Sequence, residues 1–124
     1  MREVAHRYPD DLDAATLFAE AMMDLRPWNY WHKDGSPYPG TAIILAQLER
    51  VMKADPDHPG ACHYYIHAVE AVAPQKAVAC AEHLAALMPG AGHIVHMPGH
   101  IYIRVGRYED AIKANEHAVH TDEA

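Results

Sequence analysis

Cysteine is scarce. Cys62 and Cys80 are the only two in 124 residues, and they form no CxxC pair. Two thiols exclude a disulfide framework, although one bridge between neighbouring helices stays geometrically open. Both fall in alanine-rich, helix-like surroundings, where buried free thiols are expected. Basic residues are in deficit, 10 against 17 acidic ones, giving a formal net charge of -7 with histidine neutral. That balance argues against the basic stripe of a nucleic-acid binder. Long apolar runs are missing too. The run 42–46, AIILA, is typical and falls far short of the roughly 20 residues that cross a bilayer. No membrane span is expected. The start, MREVAHRYPDD, has no apolar core followed by small residues, so it does not read as a secretion signal. The expected setting is reducing and cytoplasmic. The HExxH motif is absent as well, and no residue stands out as a general base.

Histidine is abundant by contrast. Protonating all 11 would carry the net charge from -7 to +4, so charge should move steeply with pH near about 6.5.

Helical patterning fills most of the chain. Leu12, Ala15, Phe18, Ala19, Met22 and Leu25 recur at three- and four-residue steps, and Pro27 stops that helix. The stretch 26–40, RPWNYWHKDGSPYPG, is a loop by its three prolines, two glycines and four large rings. Its tryptophans either plug the end of the helical stack or close over a groove as a lid, with His32 a candidate polar contact. Helix resumes near Thr41, with Ile44, Leu45, Leu48, Val51 and Met52 as its inward stripe. A helix over about 59–72 follows and carries HYYIHAVE, and Pro74 opens another, with Ala77, Val78, Ala81, Leu84 and Leu87 inward. The last helix, 107–120, is built on Ala111, Ile112, Ala114, Ala118 and Val119.

Between these lies 92–107, GHIVHMPGHIYIRVGR. At about 100° per residue, His93, His96, His100 and Arg104 fall within an arc roughly 80° wide, while Ile94, Ile101, Tyr102 and Val105 point away. Pro98 interrupts this pattern. Inside a helix it removes the bond to the Ile94 carbonyl at a cost of roughly 3 kcal/mol, so a kink or a fresh helix start is expected there. In the preceding HYYIHAVE, His63, His67 and Glu70 are spaced four and three, again on one face.

Helices of about 15 residues joined by short proline- or glycine-containing turns call for a search for repeats. From Gly92 the sequence resembles the 34-residue tetratricopeptide repeat: Gly99, Tyr102, Gly106, Tyr108, Ala111 and Ala118 stand where that repeat places small and aromatic packing residues. The stretch 58–91 matches with Ala77, Leu84 and Pro89 in register, and about 10–57 forms a divergent pair lengthened by the loop 26–40. Departures in 92–124 are Val95, Pro98, Asn115 and Glu123, in place of tryptophan, leucine, a large aromatic and proline. HPGACHYYIHAVE together with AGHIVHMPGHIYIRVGRY is similar to a bacterial group of tetratricopeptide proteins, usually longer than this chain. The resemblance implies a single all-α repeat domain over 1–124, with about three antiparallel helix pairs stacked as an α-solenoid. It implies no activity. The last helix keeps an apolar stripe, so a fragment of a longer array, or burial of that face by self-association, is expected.

The resemblance also implies that the first helix of each pair lines a concave groove, which would set His63, His67 and Glu70 opposite His93, His96 and His100. Packed helices lie roughly 8 to 10 Å apart, within reach of a shared ion. Imidazoles with one carboxylate suit Zn, Fe, Cu, Ni or Mn, with a single ion favoured over two. Were the site hydrolytic, metal-bound water would be the nucleophile and Glu70 a ligand or the base. Arg104, Trp28, Trp31 and Tyr64 are candidate groove contacts. The alternative is a metal-free groove for a peptide or protein partner, with Arg104 pairing a carboxylate. His6, His32, His58, His83, His117 and His120 are expected in surface or capping roles.

Overall fold

The computed structural model describes residues 1–123. Helices account for almost all of their regular structure, and the described residues hold no strand beyond one isolated antiparallel bridge, Trp31 with Pro37. The elements are α1 (Arg2–Arg7), α2 (Leu12–Asp24), α3 (Pro39–Ala54), α4 (Pro59–Val69), a 3-10 turn (Pro74–Ala77), α5 (Val78–Leu87), α6 (Gly92–His96), α7 (Pro98–Arg104) and α8 (Tyr108–Glu123).

Local chemistry sets the helix starts. Asp11 caps α2 by accepting the Ala14 N–H at 3.0 Å. His58 does the same for α4 with an imidazole: its Nδ1 accepts the Ala61 N–H at 3.1 Å, while its Nε2 meets Asp13 at 2.7 Å. Pro39 and Pro59 open α3 and α4, where a missing N–H leaves no bond unmade. Several boundaries differ from those read in the sequence, the last helix running on to Glu123 rather than ending at 120. The HYYIHAVE helix ends at Val69 rather than near 72, and Pro74 opens a tight 3-10 turn before α5 begins at Val78.

Each long helix packs on its neighbour in the chain. α2 lies against α3, α4 against both of them, α7 against α4 and α5, and α6 and α7 together against α8. Leu48, Val51, Ile66, Leu84, Met97 and Ile101, drawn from α3, α4, α5, α7 and the α6–α7 junction, are fully buried in one continuous core. Cys62 and Cys80 are free and buried. The apolar stripe of α8 divides: Ala111 and Ala118 face inward, whereas Tyr108, Ile112 and Val119 are 64, 57 and 54% exposed. Ile112 and Val119 are therefore not core residues, because α6 and α7 cover only the alanine side of α8.

The turn into α8 rests on Gly106, whose φ of 84° lies in the left-handed region. It follows α7 as a helix-stop glycine, and the Arg107 N–H closes the motif by donating to the Tyr102 carbonyl at 2.8 Å. Gly106→Ala is expected to lower stability by about 1 kcal/mol through left-handed strain alone, since no atom crowds the position a Cβ would occupy. Thermal melting checks it.

Candidate metal centre

α4 carries Tyr65, Ile66 and Val69 into the core, which turns His63, His67 and Glu70 outward on its other side. The segment α6–α7 presents His93, His96 and His100 to them. Pro98 opens α7, the fresh helix start that the sequence allowed, after α6 has run from Gly92 to His96. Met97 between them keeps helical dihedrals of -51° and -38°. Its N–H still donates to the His93 carbonyl, and the next bond tightens to His100 N–H on the Met97 carbonyl, both at 3.1 Å. The histidines before and after Pro98 therefore stay on one side.

The six candidates divide into two sets. His63, His67 and His93 each offer a ligand atom, all within 4.8 Å of one another, and the Nε2 atoms of His63 and His93 are 3.1 Å apart. His96 and His100 form a second pair, with Nε2 atoms 2.9 Å apart. Glu70 lies in neither set. Its Oε2 accepts from His100 Nδ1 at 3.1 Å and lies 3.6 Å from His67 Nδ1, and its Oε1 is 3.8 Å from Arg104. Read in the sequence as a ligand or a base, it is hydrogen-bonded in the structure to one imidazole, His100, a contact of the kind that fixes ring orientation and raises ligand basicity. His67 Nδ1 is buried and has no hydrogen-bond partner.

The loop 26–40 divides its two tryptophans. Trp31 is the plug: its Nε1–H donates to the Ala68 carbonyl on α4 at 2.7 Å. Trp28 is 74% exposed, takes a left-handed φ of 64°, and sets its ring edge-on to His67 at 5.0 Å. That backbone strain, about 1 to 3 kcal/mol for a non-glycine residue, points the ring at the histidines. Tyr64 stacks on His63 at 5.0 Å. Trp28, Tyr64 and the three histidines line a cavity of about 340 Å³, together with Glu20, Met23, Asp24, Pro27 and Tyr30. Arg104 is half exposed and tied to Glu70.

Asn115 is the residue that patterning missed. Its Oδ1 meets His96 Nδ1 at 2.6 Å, and its only signal in the sequence was a polar side chain where the repeat carries a large aromatic. Glu20 and Asp24, four apart on α2, gave no signal, because a solvated helix face looks the same. Of the histidines expected in minor roles, His58 is a cap, His83 meets the Pro56 carbonyl at 3.0 Å, and His32 rests on Tyr38 at 3.9 Å.

Proton affinities follow from crowding. Burial first, then the charges of His67, His93 and His100, push His63 down to about 4. His93 is lowered by burial and then by His67, His96 and His100. Burial raises Glu70, but the imidazoles of His100 and His67 outweigh it and hold the carboxyl at about 2. Between about 4 and the ordinary 6.5, the unfolded chain takes up a proton at His63 that the folded chain refuses. The metal-free protein should therefore lose stability as pH falls through that window and regain it as pH rises. Melting temperatures across the window check this, and His63→Gln should flatten the curve.

No family model matches this chain, and neither a curated protein nor a solved structure matches it. The chemistry of the site is therefore read from its residues. Three converging imidazoles are lone-pair donors of the kind that bind first-row transition ions. The thiols take no part. Cys62 Sγ lies 3.8 Å from His83 Nε2, and Cys80 Sγ lies 3.4 Å from the Met52 sulfur.

Proposed function

We propose that this chain is a tetratricopeptide-like scaffold whose concave face holds a transition-metal ion through His63, His67 and His93. The convergence of three imidazoles from α4 and α6 carries the proposal. The Nε2 atoms of His63 and His93 are 3.1 Å apart, close enough to share one N–H or one metal ion, and crowding that disfavours protons at His63 and His93 supports the ion. The helix contacts support the repeat reading. α2, α4 and α7 touch in series, and α4 and α7 also pack on α3 and α5, as first helices would on the second helix of the pair before.

Three protein nitrogens leave a tetrahedral ion one open position, as in catalytic rather than structural zinc sites. The cavity beside Trp28 and Tyr64 gives that position access to a small ligand. The absence of a carboxylate among the three donors favours Zn, Cu, Ni or Fe over Mn. The test is a thermal shift of untagged, chelator-stripped protein with each of the five ions. Binding raises the melting temperature in a concentration-dependent way, by about 4 kcal/mol of added stability at 1,000 times the dissociation constant. No shift with any of them would leave the groove to a metal-free peptide partner.

A further inference from the structure

His96 and His100 lie outside the three-histidine set, and their geometry poses a separate problem. Each ring has one nitrogen already engaged. His100 Nδ1 is 3.1 Å from a Glu70 carboxylate oxygen, which only accepts, so Nδ1 donates. His96 Nδ1 is 2.6 Å from Asn115 Oδ1, also an acceptor, so it donates too. A neutral imidazole has one N–H. Both Nε2 atoms then carry bare lone pairs, and they face each other at 2.9 Å. Two lone pairs at that distance repel unless a proton or a metal cation stands between them.

We propose that His96 and His100 form a second metal site beside the first, with Glu70 and Asn115 as its positioning residues. An ion about 2.0 to 2.1 Å from each nitrogen closes the 2.9 Å separation at an N–metal–N angle of about 90°. That angle belongs to the tetragonal coordination of Ni(II) or Cu(II) rather than to a tetrahedron. Histidines at i and i+4 on one helix face are an established chelating pair, and the helical dihedrals of Met97 preserve that spacing across Pro98. The two sites are neighbours: His67 and His100 have ring centroids 5.6 Å apart, and His93 and His96 6.3 Å. The second site rests on its own pair of distances, and only its pairing with a first ion rests on the function proposed above.

Calorimetric titration of the untagged full chain with Ni(II) separates the two. Two ions per chain are expected, falling to one in His96→Ala and in His100→Ala. A His63→Ala/His93→Ala variant should keep the second ion alone. Asn115→Leu should weaken one binding phase by about 10 to 100-fold and leave the other unchanged, with the far-ultraviolet helical signal reporting that each variant is folded. One ion in the wild-type chain would mean that the pair shares a proton instead, overturning the second site while the first stands. No ion would remove both. Loss of both ions in a folded His96→Ala variant would mean one undivided cluster and would also overturn the second site.

Discussion

Replacing His63 and His93 together by alanine is expected to reduce metal affinity at the three-histidine centre by at least about 100-fold. Removing a partner behind a ligand already costs 10 to 100-fold in affinity, and this change removes two ligands outright, leaving His67 alone of the set. The fold should survive. His63 is part-buried and His93 exposed, and neither belongs to the core. The metal-free variant should melt no lower than metal-free wild type near pH 6, because deleting His63 also removes the group that resists protonation. Equal affinity in wild type and double variant, measured by competition with a chromophoric chelator, would place any bound ion elsewhere.

Ile66→Ala should have the largest effect on stability. Ile66 is fully buried on α4, between the outward-facing His63 and His67. Truncating a buried isoleucine to alanine costs about 2 to 5 kcal/mol, through lost transfer energy and the cavity left behind. For a chain of this size that lowers the melting temperature by roughly 10 °C. The helix that loses its anchor carries two of the three ligands, so metal affinity should fall with stability. Leu84→Ala, on α5, serves as the control. It should cost similar stability with a smaller effect on the ion, because Leu84 is buried on a helix that supplies no ligand. Chemical denaturation with and without metal separates the two effects.

The all-helical fold was legible because apolar spacing, proline and glycine punctuate this chain clearly. The inward stripe of α3 and the loop after α2 follow from spacing and composition alone. The shared face of His63, His67 and Glu70 followed equally, since helix periodicity sets it. Three things were not legible. Whether Pro98 kinks a helix or starts one depends on the bonds around it, and here it opens α7 while Met97 keeps helical dihedrals. Spacing places Glu70 on the histidine face but not its partner, and the hydrogen bond it makes with His100 crosses from α4 to α7. Asn115 sits on α8, 19 residues from the histidine it meets, and no periodicity connects them. The uncovered side of α8 was likewise invisible, for Ile112 and Val119 share the spacing of buried residues while lying off the face that α6 and α7 cover.

The division of the two tryptophans has the same origin. Composition marks 26–40 as an aromatic loop, yet the Trp31 indole is committed to a backbone carbonyl on α4, while Trp28 is turned by a strained backbone to the rim of the cavity. Trp28→Ala should therefore leave the fold intact and alter what reaches the ion. Trp31→Ala should destabilise the packing of the loop on α4, where the hydrogen bond alone is worth about 1 kcal/mol.

The most direct measurement is the metal content of untagged protein after equilibrium dialysis against micromolar Zn, Cu and Ni in separate experiments. Bound metal is counted by elemental analysis beside the His63→Ala/His93→Ala variant. At least one ion per wild-type chain, with the ion at the three-histidine centre lost from the variant, is the expected result. Wild-type protein that retains none of the three ions, or a variant that retains as much as wild type, would contradict a metal centre at His63, His67 and His93.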